Sequence, residues 1–142
     1  QEILIDVIGL GSGVVDRLAE LGLPVRGVNV AESPASKRNY LNLRAELWFA
    51  IKDWLTKRDC RLPQDDELIA ELVSPQYTYT SAGKIKIEAK EHMRKRGIKS
   101  PDKADALALT MASTAATFTG GTISSMGYNF KKPLKSKIIR VG

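Results

Sequence analysis

Ile3-Leu4-Ile5-Asp6-Val7-Ile8-Gly9-Leu10-Gly11-Ser12-Gly13 is a short, almost unbroken apolar run that ends in a glycine-rich turn. β-Branched residues dominate the run, as expected of a central parallel strand buried on both faces. Beyond the turn, Val14, Val15, Leu18 and Leu21 recur at helical spacing, and Gly22 supplies a stop. Pro24 to Val30 then reads as a second strand. Strand, turn, helix and strand make a right-handed βαβ unit, so the chain is α/β. The turn resembles a dinucleotide-binding loop only in part. Gly9 and Gly11 fill the first two positions of GxGxxG, but the third falls on Val14 and Gly13 comes one place early. An acid inside the strand, as Asp6 is, has no role in that motif.

A second informative stretch is Lys99-Ser100-Pro101-Asp102-Lys103-Ala104-Asp105-Ala106-Leu107-Ala108-Leu109. Ser100 is a good N-cap, Pro101 suits the first helical position, and the Ala- and Leu-rich continuation favours a helix. Asp102 and Asp105 lie three residues apart, near one face of the first turns, where the helix dipole favours negative charge. Asp105 falls among Ala and Leu that should pack on a core, where an unpaired charge is costly. Either a nearby Lys or Arg pairs with it, or it serves a metal or catalytic function.

In α/β proteins, sites form beyond the carboxyl ends of strands. Asp6, near the end of its strand, and Asp105, from a later helix, could meet there. Two carboxylates sharing a site repel unless a cation lies between them, and Mg²⁺, which keeps waters and substrate phosphates in its shell, suits that arrangement. Two such ions about 4 Å apart can activate water and stabilise the leaving oxygen of a phosphodiester. Glycines in the turn let the backbone pass close to the site.

The remaining chain supplies more helices and a hairpin. Lys37 to Asp59 is the longest helical pattern, with Leu41, Leu47, Trp48, Ile51, Trp54 and Leu55 as its apolar stripe. The two Trp fit the core better than a base-stacking platform. Asp65 to Val73 reads as a short helix capped by Asp65 and burying Leu68, Ile69 and Leu72. Tyr77 to Thr80 and Lys84 to Glu88 alternate about Ser81-Ala82-Gly83, which predicts a hairpin. Lys84 and Lys86 share one of its faces, either solvated or on phosphates. Ala89 to Arg96 reads as a short basic helix ended by Gly97, with the single His92 solvated. After Met111 the chain turns small and polar without a period, then basic from Lys131 to Arg140.

The chain's 142 residues suffice for one domain. Lys and Arg total 22 against 16 Asp and Glu, net +6, and no acid follows Asp105, which points to a polyanionic partner, most commonly nucleic acid. One cysteine, Cys60, excludes an internal disulfide and suits a reducing compartment. No apolar run is long enough to span a bilayer, so no membrane association is expected.

Four segments together carry a family resemblance: residues 6–16 (Asp-Val-Ile-Gly-Leu-Gly-Ser-Gly-Val-Val-Asp), Asn42 to Trp48, Gly83 to Glu88, and Ser100 to Leu107. In order, they resemble the C-terminal nuclease domain of the large terminase subunit of tailed bacteriophages. The resemblance implies a ribonuclease H-like mixed sheet flanked by helices over residues 1–112, with 113–142 an irregular basic tail. It implies a metal-dependent endonuclease that cuts concatemeric double-stranded DNA with Mg²⁺ or Mn²⁺, two ions in all. By motif position Asp6 resembles the second acidic ligand and Asp105 the third, with Asp102 in an auxiliary position. Lys84, Lys86, Lys90 and Arg94 would lie near the DNA phosphates. Portal and small terminase subunit would be partners, in the cytoplasm of the bacterial host. The family's first catalytic aspartate lies on a meander preceding the βαβ unit, which this sequence does not contain, and no GxxxxGK[ST] loop of its ATPase domain occurs. Weak or no cleavage by this chain alone is therefore expected. Two other readings stand beside it: a non-catalytic DNA- or portal-docking piece, and a ribonuclease H-like junction resolvase.

Overall fold

A computed structural model describes residues 2–58 and 60–116, and the expected tail of residues 113–142 lies outside the described residues from 117 on. The βαβ unit consists of β1 (Ile3–Asp6), α1 (Gly11–Glu20) and β2 (Val25–Val28), with β1 and β2 parallel in the register Ile3 to Val25 through Asp6 to Val28. β1 is not buried on both faces as its apolar run suggests. Among the described residues it pairs with β2 alone, no residue of α1 is buried, and Ile3 remains 39% exposed. A pair of strands has too little surface to enclose itself. Two glycines shape the turn into α1: Gly9 has φ of +77°, and at Gly11 the helix start presses onto the end of β1.

The chain continues through α2 (Leu43–Thr56), α3 (Asp66–Val73), β3 (Tyr77–Tyr79), β4 (Ile85–Ile87), α4 (Lys90–Lys95) and α5 (Asp102–Ala116). β3 and β4 form the expected antiparallel hairpin, Tyr77 opposite Ile87. Among the described residues the strands make two separate two-stranded sheets.

Three boundaries differ from the sequence reading. The long helix starts at Leu43, not Lys37. Asn42 caps it by accepting the Ala45 N–H at 3.1 Å, while residues 39–41 bond to Ile85 of the hairpin, a long-range pairing that periodicity does not report. Leu41 therefore leaves the stripe and is 42% exposed. At the start of α5 the Ser100 hydroxyl donates to the Asp102 carboxylate at 2.6 Å instead of capping a backbone N–H. The Asp105 N–H bonds the Pro101 carbonyl, and Glu71 of α3 accepts the Ala104 N–H. The cap is thus partly tertiary. α5 also runs past Met111 to Ala116, where small polar residues suggested irregular chain, because Ala is the best helix former whatever its period.

The core lies between α2, α3 and α5. Leu47, Trp48 and Ile51 of α2 and Leu68 of α3 meet Ala104, Ala108 and Ala112, a stripe of small residues that admits α2 close to the α5 backbone. Leu4 of β1 and Ile87 of β4 pack on its margin. Ile69, expected inside, is 48% exposed, since Leu68 and Leu72 already complete the inward face of this short helix.

Candidate metal and nucleic-acid cleft

Beyond the carboxyl end of β1 opens a cleft of about 730 Å³. Asp6, Asp102 and Asp105 all line it, and so do Lys86, Lys90 and Arg94. The three expected acids thus share one concavity with three of the four expected basic residues. Lys84 does not line it, because it precedes β4 at the turn of the hairpin whereas Lys86 lies within the strand.

Asp6 is the last residue of β1, and its Oδ1 accepts the Ile8 N–H at 3.0 Å, a local turn that orients the carboxylate. Asp105 is held by long-range contacts. Its Oδ1 accepts from Arg44 Nε at 3.3 Å, Arg44 Nη2 at 3.2 Å and Trp48 Nε1 at 2.9 Å. Its Oδ2 faces Lys90 Nζ at 2.9 Å. Lys90 also lies 3.6 Å from Asp102 Oδ1, so one ammonium bridges the two acids of α5. The Asp102 carboxyl is held below the usual carboxylate range, first by the Ser100 hydroxyl and then by the Lys90 ammonium. Its side chain is 78% exposed.

Asp105 therefore has the cation partners that a carboxylate among Ala and Leu requires. Sequence reading foresaw the need but not the partners. Periodicity alone gives Arg44 no partner and assigns Trp48 to the core. Their i, i+4 spacing and the demand of a buried indole N–H for an acceptor are the signals that could have joined them to a buried acid. His92 is exposed, as expected.

The donor set is all carboxylate oxygen, which suits a hard divalent cation. Asp6 and Asp105 are the residues that would hold one, with Asp102 beside them. Lys90 must leave Asp105 Oδ2 for that oxygen to become a ligand. Among the described residues no three His, Cys, Asp or Glu side chains form a ready metal-holding group, and no helix is long and apolar enough to cross a membrane.

Fold and site together define an α/β domain with acidic and basic side chains lining one cleft at a strand's carboxyl end. Its architecture is similar to the nuclease domain of the large terminase subunit gp2 of bacterial virus Sf6, with TM-score 0.64, 26% identity, and coverage of 78% of this chain and 64% of that one. A mutant of the same domain with manganese matches at TM-score 0.65 and 25% identity, and one with calcium at 0.65 and 26%. This chain spans about 64% of the length of those domains. No protein-family profile and no curated protein matches it.

Proposed function

We propose that this chain is the nuclease portion of a viral DNA-packaging terminase, a divalent-metal-dependent endonuclease acting on concatemeric double-stranded DNA. The observation that carries the reading is the convergence of Asp6, Asp102 and Asp105 with Lys86, Lys90 and Arg94 on one cleft. The likeness to a terminase nuclease domain that has been seen with manganese supports it. In this reading the fold is ribonuclease H-like, the β1–β2 pair is part of its mixed sheet, residues 1–112 carry the nuclease portion, and 113–142 form a basic tail.

Asp6 and Asp105 hold Mg²⁺ or Mn²⁺, two ions in the working site, and Asp102 assists. A divalent ion held there would supply activation of a water and charge stabilisation at the leaving oxygen of a phosphodiester. The chain's own residues bind and orient the substrate. Lys86 and Arg94 take phosphates along the cleft, Lys84 contacts the duplex outside it, and Lys90, paired with Asp105 Oδ2 at 2.9 Å, is the cation nearest the acids that could turn to a phosphate. Portal and small terminase subunit are the partners, and the bacterial cytoplasm is the place of action.

One observation favours the docking reading instead. The Asp105 carboxylate already carries two cations, Arg44 and Lys90, so it does not need a metal. Calorimetry of Mn²⁺ binding separates the readings. Saturable binding by the wild type, abolished by Asp6→Asn and by Asp105→Asn, is the expected result. Absence of binding, or binding that survives both substitutions, removes the nuclease reading and leaves docking. Cleavage of linear duplex supports a terminase; preference for branched junctions would point to a resolvase.

A further inference from the structure

The two oxygens of Asp105 are used differently. Oδ1 accepts three N–H groups, all from α2, while among the described residues Oδ2 meets the Lys90 ammonium in the cleft. Arg44 does more than pair with the acid. Its Nη1 donates to the Glu88 carbonyl at 2.8 Å, two residues ahead of Lys90, and its guanidinium lies 5.9 Å from the centre of the Trp48 ring. Trp48 is 7% exposed, anchored in the core against the alanine stripe of α5. The indole N–H is therefore a fixed donor, and Arg44 in turn fixes both the acid and the chain that leads into α4.

From this we infer that Arg44 and Trp48 are positioning residues: they saturate Oδ1 and leave Oδ2 of Asp105 as its single cation-binding oxygen. The inference rests on the metal-site reading above and adds residues that neither composition nor motif assigns. A carboxylate clamped on one oxygen binds a cation through the other without first being ordered, as with the outer-shell partners that orient metal ligands.

The test combines NMR of the indole N–H groups with calorimetry. In the wild type, Mg²⁺ is expected to shift the Trp48 indole resonance with the midpoint that calorimetry of Mg²⁺ gives, while the Trp54 indole, assigned by Trp54→Phe, stays unmoved. Trp48→Phe keeps an uncharged aromatic ring and removes the donor, with some loss of core volume, and about tenfold weaker Mn²⁺ binding is expected. Arg44→Lys keeps the positive charge but cannot span Asp105 and the Glu88 carbonyl, and it should weaken binding comparably. If Trp48→Phe fails to fold, Arg44→Lys decides. Folded variants that bind Mn²⁺ within twofold of the wild type overturn the positioning role while leaving the metal site intact. A wild type that binds neither ion overturns the metal site itself, and the positioning role with it.

Discussion

Lys90 shows how finely balanced a single residue can be. Its ammonium, 39% exposed, lies against Asp105 and near Asp102, where a metal would also seek carboxylate oxygen. A half-exposed ion pair of this kind contributes roughly 0.2–1 kcal/mol, so it competes with a divalent ion only weakly. Lys90→Met should therefore raise Mn²⁺ affinity modestly, by up to about fivefold at that energy, and calorimetry in parallel with the wild type checks it. A fall in affinity would mean that Lys90 helps to assemble the site. Gly11 imposes a stricter requirement. A Cβ there would stand 1.7 Å from the Asp6 carbonyl oxygen, a backbone atom that cannot swing away. Gly11→Ala is expected to cost about 1–3 kcal/mol or more in urea unfolding, and to displace Asp6 enough to weaken Mn²⁺ binding. Unchanged stability would show that the β1–α1 turn has slack.

α2 and α3 each start at a side-chain cap, and the two caps are measurable. Asn42 begins α2, the helix that carries both Arg44 and Trp48, and Asn42→Ala should cost about 1 kcal/mol, read as a lower urea midpoint with unchanged slope. Asp65 caps α3 and also accepts from Lys103 of α5 at 2.8 Å. The Lys103 hydrogen bond, with the Leu68 N–H second, holds the Asp65 carboxyl below its ordinary value. Because the folded value lies below the unfolded one, the stability from this group is fully present above the ordinary value of about 4 and is lost as pH falls through the depressed folded value. Asp65→Asn keeps the cap and removes the titration. Urea midpoints followed from neutral pH to about pH 3 should decline less steeply for the variant than for the wild type. Parallel declines would mean that the tie between α3 and α5 contributes nothing in solution.

Across the whole molecule, what could be read from sequence was local. The βαβ unit, the hairpin and the acidic start of α5 follow from period, turn residues and helix propensity, all within a dozen neighbours. The true start of α2 did not, because residues 39–41 are held by the hairpin. Nor did the partners of Asp105, since Arg44 and Trp48 lie 61 and 57 residues away along the chain. Strand alternation put Lys84 and Lys86 on one face, yet the strand begins only at Ile85, so the cleft takes Lys86 alone. That difference makes the last prediction selective. With net charge +6, duplex binding measured by fluorescence anisotropy without divalent ions should weaken linearly in log affinity against log salt, each phosphate contact contributing about 0.9 to the slope. If DNA lies in the cleft, Lys86→Gln and Arg94→Gln should each reduce that slope by about 1, whereas Lys84→Gln should change it less. Equal effects from all three would mean that the duplex meets the whole basic surface. No effect from Lys86→Gln or Arg94→Gln would place the duplex away from the acids, and a domain that binds DNA there cannot cut it at Asp6 and Asp105.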